Sequence, residues 1–461
     1  MAASLLTQDA NWDQLQYHYW YPWQLFHGGF SDPDLYGGRF QNPLPQVPFY
    51  LLATTLPPLM AQALLGALAG VSAVLTRRIA ARVLPYTGGW LLAASTTAAV
   101  IGMVGAGFRS EIGTSYSDVL LAAVLLGGLL LVLREQPLLA GVLAGAAVGL
   151  KYTSAPFVVA MLAAVLVVRW RGAGWWLLGA VGGWLLTGAW WAGSLWRTYG
   201  SPVFPFWNSV FASPWYPPAD LTDERYGVTG LRGWLTWPWD MATGTARVLD
   251  LPVRDPRWLL LVGAVILILF AARRLTRSGI AVLVFTLTGA VVWLALFGVI
   301  RYAIPAEMLV GVLVVWSLAL WLRPRATVAV GLLLAVLAGA WTQSAQSRRV
   351  PFGDRWYEVQ PGAFAAVAPG DVVLVDGQYP STFLLPGALP AGVAAHVVQK
   401  DFTATPLRGW LERELAGANR VWVLTGRPPS QVDPAIGTID YEKCSRIRSN
   451  VVDRWLCPLT L

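Results

Sequence analysis

The chain has 461 residues, of which 56% are hydrophobic and only 13% charged. Soluble domains carry about 25% charged residues, so a soluble cytoplasmic enzyme, a disordered chain and a fibrous protein are excluded. A polytopic membrane protein with some water-facing part remains. The net charge of +8 comes from 33 Lys and Arg against 25 acids, but only Lys151, Lys400 and Lys443 are lysines, and no basic stripe interleaved with aromatics marks a nucleic-acid partner.

The chain opens with a polar, aromatic segment, QDANWDQLQYHYWYPWQLFHGGF, holding Asp9, Asp13, Tyr17, His18 and several Trp. Apolar runs free of charge follow at roughly 59–75, 88–107, 117–133, 138–150, 154–168, 174–193, 257–272, 279–300, 304–322 and 326–342, which predicts about ten helices. The runs 138–150 and 154–168 fall short of the ~20 residues that cross a bilayer.

Sidedness follows from arginine. Arg77, Arg78, Arg82, Arg134, Arg169, Arg171, Arg273, Arg274, Arg277, Arg323 and Arg325 all sit on alternate connections. The positive-inside rule makes that side the cytoplasm. The outer side then receives residues 1–46, the 109–118 loop, the 194–256 loop, the Arg301 turn and everything after about 343. Nothing before Asp9 can carry residues 1–46 across, so a first helix upstream of this sequence is expected.

The tail, 343–461, reads differently. DVVLVDG (371–377), AAHVVQK (394–400) and RVWVLTG (420–426) have the pattern of buried strands, and PLRGWLEREL (406–415) that of a helix. The expectation is a small extracytoplasmic α/β domain over 343–461 beside a membrane module over 1–342. Cys444 and Cys457, the only cysteines, can pair in an oxidising compartment or remain reduced in its core.

Polar residues at membrane depth are costly, and here they gather at the outer helix ends. Besides Asp9 and Asp13, the 109–118 loop holds Glu111, Tyr116 and Asp118. GLKYTSAP places Lys151 between the two short helices, and IRYAIPAE holds Arg301, Tyr302 and Glu307. No Walker A, GxSxG, HExxH or paired CxxC is present. Carboxylates suit a general base for an acceptor hydroxyl. Arg and Lys suit a phosphate leaving group, and Trp and Tyr suit a sugar ring and a lipid chain. No nucleotide-sugar supply exists outside the cytoplasm, so an activated donor there must travel on a lipid. An oxygen-only divalent cation site (Mg or Mn) from Asp13, Glu111 or Asp118 is a further option.

The stretches NWDQLQYHYWYPWQLFHGGF…QNPLPQVPFYLL, SEIGTSYSDVLL, GLKYTSAPF, LWRTYGSPVFPFWNSVFASPWYPP, DERYG and FGVIRYAIPAEML resemble bacterial integral membrane glycosyltransferases of the GT-C superfamily. The resemblance covers nearly all of residues 9–310. It implies a mainly α, polytopic helix bundle in the bacterial inner membrane and a polyprenyl-phosphate sugar donor. It also implies a glycan, lipid or protein acceptor of the cell envelope, and inversion at the anomeric centre. By position it implies Asp13, then Asp9, as the catalytic acid–base residue. Glu111 and Asp118 would support acceptor or metal, and Arg301, then Lys151, would contact the donor phosphate. Tyr17, His18 and Tyr302 are candidate pocket walls.

Plainer roles stand beside these. Asp13 can cap a helix beginning near Gln14, Glu111 and Asp118 can be a solvated helix start, Lys151 can snorkel, and Arg301 can pair with Glu307. Asp223, Glu224 and Arg225 read as a solvated charge cluster. The rival functions are a transporter or flippase of lipid-linked saccharides and a non-catalytic envelope-assembly protein. Charges at helix ends rather than at the midplane, and no internal repeat, favour the enzyme.

Overall fold

The structure, a computed structural model, describes residues 6–28, 33–221, 223, 225–426 and 436–461. Each of the ten apolar runs folds as helix. Among the described residues, five segments are long and apolar enough to cross a membrane: Pro58–Val83, Tyr152–Thr187, Arg277–Leu296, Ile300–Ala319 and Pro324–Trp341. Shorter apolar helices span Gly88–Met103, Asp118–Val132, Pro137–Leu150 and Arg257–Phe270. The Tyr152–Thr187 segment holds two helices, Ala155–Arg169 and Ala173–Thr187, joined by a 3-10 turn at Trp170–Gly172.

The run 88–107 breaks after Met103, and a separate short helix begins at Ala106; two further boundaries also differ from the sequence reading. The first helix does not stop near residue 75 but continues to Val83 through Arg77, Arg78 and Arg82. Arginine is a good helix former, and its long stem lets the charge reach water without ending the helix. The run 174–193 is cut at Gly188, after which Ala189–Tyr199 forms a separate helix.

The short helix Pro137–Leu150 gains its support from glycine. A Cβ on Gly141 or Gly145 would lie 2.0 Å from the Trp176 carbonyl oxygen or 1.8 Å from that of Ala180. Gly179 and Gly183 return the relation, at 2.1 Å from the Leu138 oxygen and 2.0 Å from that of Val142. The two backbones touch through small-xxx-small stripes, the packing that holds helices together where lipid removes the hydrophobic drive.

The chain divides into two compact units. The first takes 64–190 and 223–346, and is the helix bundle. The second takes 2–63, 191–222 and 347–461, so it gathers more of the chain than a cut at residue 343 would. Its sheet has the path Ala394–Val398, Val372–Asp376, Val421–Thr425, Arg454–Thr460, Thr438–Ile439, with Ser445–Ile447 pairing alongside Arg454–Thr460. The first three strands are parallel and the others antiparallel. Helix Leu407–Ala416 buries Leu407, Leu411 and Leu415, an i, i+4, i+8 stripe. Cys444 and Cys457 are joined as a disulfide with Cα atoms 4.1 Å apart.

The aromatic N-terminal segment belongs to this second unit. Gln8–Asp9 pairs antiparallel with Arg349–Val350. The Ser381 amide donates to Gln16 Oε1 at 3.0 Å, and the Thr382 hydroxyl donates to the Gln16 carbonyl. Leu15, Tyr17, Trp20 and Tyr21 share a core with Val373, Phe383 and Leu424. Alternating strand residues and aromatics thus bury both partners.

Candidate functional site

In the helix bundle, Asp118 begins the helix Asp118–Val132 and Lys151 follows the helix Pro137–Leu150. Lys151 Nζ lies 2.7 and 2.8 Å from the two Asp118 carboxylate oxygens. Arg301 Nε approaches Asp118 Oδ2 from another side at 4.0 Å. The Arg301 guanidinium stands over the rings of Tyr116 (4.8 Å) and Tyr302 (5.3 Å), and the Lys151 ammonium lies 4.9 Å from the Tyr302 centroid. Three loops therefore deliver two cations, one shared carboxylate and two aromatic faces to one place.

Glu111 ends the six-residue helix Ala106–Glu111 and is buried, 3% exposed. Among the described residues neither carboxylate oxygen lies in hydrogen-bonding geometry with a donor, although the Val119 amide exerts a weak pull. Burial, then the Asp118 charge, hold its carboxyl well above the usual carboxylate range, against the opposing charges of Arg301 and Lys151. Glu111 thus stands neutral beside Lys151 and Arg301. Ionising Glu111 would add a second carboxylate charge to the group.

A second cluster holds this one in place. Asp255 and Arg257 are fully buried, with Arg257 Nη2 2.6 Å from Asp255 Oδ2 and 3.5 Å from Glu307 Oε1. Arg257 Nη1 donates to the carbonyls of Ile101, Gly102 and Glu307 at 2.9–3.1 Å. The two acids cap the short helix that ends in Glu111. Asp255 accepts from the Ala106 amide at 3.1 Å, and Glu307 accepts from those of Gly107 (3.1 Å) and Phe108 (2.9 Å). All three leading N–H groups are thus satisfied by carboxylates from distant segments. A Cβ on Gly105 would sit 2.0 Å from Arg257 Nη2, so the close approach needs glycine there. Glu307 is engaged by Arg257, whereas the sequence had offered it to Arg301. The available signal was its place three residues into an apolar helix, where a carboxylate requires a partner. Asp255 and Arg257 were missed because DPRW reads as an ordinary loop end.

Asp9 and Asp13 lie in the second unit. Asp9 is fully buried and its carboxylate accepts from Asn11 Nδ2 at 2.6 Å and Ser347 Oγ at 2.9 Å, while its amide donates to Gln62 at 2.8 Å. Asp13 is half-buried at the start of the π-helical turn Gln14–His18 and makes no side-chain cap bond there. That role falls to Asn11, whose Oδ1 accepts from the Gln14 amide at 2.8 Å. Tyr17 and His18 are buried, with rings edge-on at 4.5 Å, and Tyr17 also faces Tyr21 and Tyr36.

Among the described residues no three of His, Cys, Asp or Glu gather as a metal site, and both Asp118 oxygens already face Lys151. Asp223 pairs with Arg225 at 2.7 Å and Arg225 with Asp250 at 3.3 Å, all well exposed. Glu224 lies outside the described residues.

The family model of glycosyltransferase family 87 matches residues 40–298, more than half of the chain. No curated protein matches it. The crystal structure of ArnT from Cupriavidus metallidurans in the apo state is similar at 13% identity and a TM-score of 0.57, covering 99% of this chain and 95% of that one. The crystal structure of ArnT from the same organism bound to undecaprenyl phosphate is similar at 15% identity and a TM-score of 0.47, covering 72% and 60%.

Proposed function

Because the chain belongs to glycosyltransferase family 87 and shares its fold with ArnT, we propose that it moves a sugar from a polyprenyl-phosphate donor to a cell-envelope acceptor. The acceptor is a glycan, lipid or protein on the extracytoplasmic side of the bacterial inner membrane. The chain is a GT-C membrane glycosyltransferase, which leaves the transporter and assembly readings without support.

The observation that carries the donor reading is the sharing of Asp118 between Lys151 and Arg301. A carboxylate held between two cations orients them both. The donor phosphate monoanion suits an ammonium and a guanidinium held side by side, and a planar guanidinium fork suits two phosphate oxygens. As the bond between the anomeric carbon and the phosphate oxygen breaks, the electron pair leaves on the phosphate, where the cations stabilise it. Neutral Glu111 adds one O–H donor. Tyr116 and Tyr302 supply ring faces. Asp13 is assigned as the base that takes the acceptor hydroxyl proton while the hydroxyl oxygen attacks the opposite face, inverting the centre. Asp9, spent on Asn11 and Ser347, is assigned to holding the segment that carries Asp13.

The test supplies a labelled polyprenyl-phosphate sugar and a panel of envelope acceptors to the purified protein. Transfer that is lost in Asp13→Asn and kept in Glu414→Gln, an exposed helix position, supports the assignment. Movement of the lipid across proteoliposomes without transfer would overturn it.

A further inference from the structure

The second unit contains a groove that the transfer chemistry leaves unused. It has a volume of about 790 Å3 and is lined by Trp12, Arg348, Tyr379, Arg446, Arg454 and Trp455, among others. Its place follows from the sheet. Val372–Asp376 pairs in parallel with Ala394–Val398 on one side and Val421–Thr425 on the other. The chain thus leaves the first strand in one direction and returns on its far side. Parallel strands arranged this way open a crevice beyond their carboxyl ends at the switch point, where ligands bind. Tyr379 follows the first of these strands and Gly426 the last. A Cβ on Gly426 would fall 2.3 Å from the Tyr379 ring, so the absent side chain lets that ring lie across the strand ends.

The floor is cationic. Arg454 is 6% exposed. Its Nε donates to Ser381 Oγ at 2.8 Å, Nη2 to the Pro380 carbonyl at 2.7 Å and Nη1 to the Asp453 carbonyl at 3.0 Å. A guanidinium has five N–H groups, so two remain uncommitted among the described residues. Among the described residues no carboxylate forms an ion pair with Arg454 or with Arg348, and the exposed Arg348 donates to the Val451 carbonyl at 3.1 Å. Burial, then the Arg348 charge, draw the Arg454 guanidinium down to about 10. Two like charges therefore share one groove, with Asp376 and Asp453 acting on Arg454 only at longer range, while Arg446 pairs with Asp453 at 2.5 Å. Above them stand aromatic faces, with Trp12 40% exposed.

We propose that this groove binds an anionic saccharide, its carboxylate or phosphate group held by Arg348 and Arg454 and its rings laid against Trp12, Tyr379 and Trp455. Guanidinium pairs suit planar or tetrahedral oxyanions, and amphipathic rings suit the apolar faces of pyranoses. The inference stands on the groove alone and does not depend on the donor assignment.

The test is equilibrium binding to the full chain in nanodiscs of zwitterionic lipid, which carry no competing anionic headgroup. The probes are oligogalacturonate, its neutral reduced counterpart, a phosphorylated oligosaccharide and inorganic phosphate. Either acidic oligosaccharide should bind at least tenfold tighter than the neutral one, and the pair identifies whether a carboxylate or a phosphate is preferred. Arg348→Gln, at an exposed position, should weaken acidic binding about tenfold or more, as expected for a lost charge-assisted bond, and Trp12→Ala should weaken oligosaccharide binding. Equal binding of acidic and neutral chains, or full acidic binding in Arg348→Gln, overturns the proposal. So does inorganic phosphate binding as tightly as either acidic oligosaccharide. Because the readout is binding, it separates from failure of the transfer assay.

Discussion

Lys151 lies within 2.8 Å of both carboxylate oxygens of Asp118, and the two residues stand at the start and end of a helical hairpin, Asp118–Val132 and Pro137–Leu150. The ion pair therefore closes the hairpin at its open end and fixes two loops that the sequence separates by 33 residues.

Removing one partner of that pair strands the other. Lys151→Met leaves Asp118, 4% exposed at its side chain, with Arg301 as its nearest cation among the described residues. The expected cost is about 3 kcal/mol of stability and a donor KM raised by about tenfold or more. Adding Asp118→Asn should recover stability but not donor affinity. Thermal unfolding and donor titration of the single and double variants check both, and recovery of affinity in the double variant would remove Lys151 from phosphate binding.

Glu111 gives a pH dependence whose sign can be worked out. Its folded carboxyl is held above the usual range by burial and the Asp118 charge. Between the ordinary and raised values the folded chain keeps a proton that the unfolded chain has lost, so stability falls as pH rises through that window. As pH passes the raised value, Glu111 ionises beside Lys151 and Arg301 and opposes an incoming phosphate, so donor KM should climb. Glu111→Gln should flatten both slopes and raise the melting temperature at the alkaline end. A variant that retains the wild-type slopes would show that another group titrates.

The Asp255–Arg257–Glu307 knot is expected to act on Glu111 through the helix Ala106–Glu111. Arg257→Met leaves two buried carboxylates without their cation and should cost about 3–5 kcal/mol. Glu307→Gln is the milder probe. It keeps the shape but weakens the caps on Gly107 and Phe108, by about 1 kcal/mol. Its pH slope should shift from that of wild type if the helix relays position to Glu111. An unchanged slope with lowered stability would confine the knot to structure.

Much of this fold was written in hydrophobic patterning. Ten apolar runs became helices because a charge-free stretch of that length has few other ways to satisfy its backbone in lipid. The strands at 371–377, 394–400 and 420–426 were legible for a similar reason, since β-branched runs ending in Gly or Lys mark buried parallel strands. The final strand Arg454–Thr460 was not, because Arg454 and Pro458 break its apolar pattern and its pairing partner Val421–Thr425 is remote in sequence. At the site, residue type pointed to Asp118, Lys151 and Arg301 as charges needing a reason. It could not show that one carboxylate serves both cations, since that depends on where three separate turns meet. The family resemblance ranked Asp13 ahead of Asp9 by position, but the bonds from Asn11 and Ser347 to Asp9 were not legible in the sequence.

His396 supplies a check on the second unit alone. It is buried, and burial followed by the Arg39 charge lowers its pKa to about 4, although Asp34 stands 4.0 Å away. The neutral ring is therefore the folded form. As pH falls from the ordinary histidine value of about 6.5 toward 4, the unfolded chain gains a proton that the folded chain refuses, at a cost of about 2–3 kcal/mol. His396→Phe should reduce this acid sensitivity, as read from unfolding midpoints at pH 7 and pH 5. Equal acid losses in both proteins would place the sensitivity elsewhere.

The most direct measurement is inhibition of transfer by the bare polyprenyl phosphate that the reaction releases. If Lys151 and Arg301 hold the lipid phosphate, this product competes with donor in the wild type, and its inhibition constant rises by about tenfold or more in Arg301→Gln. Inhibition of equal strength in the wild type and in Arg301→Gln would contradict the account.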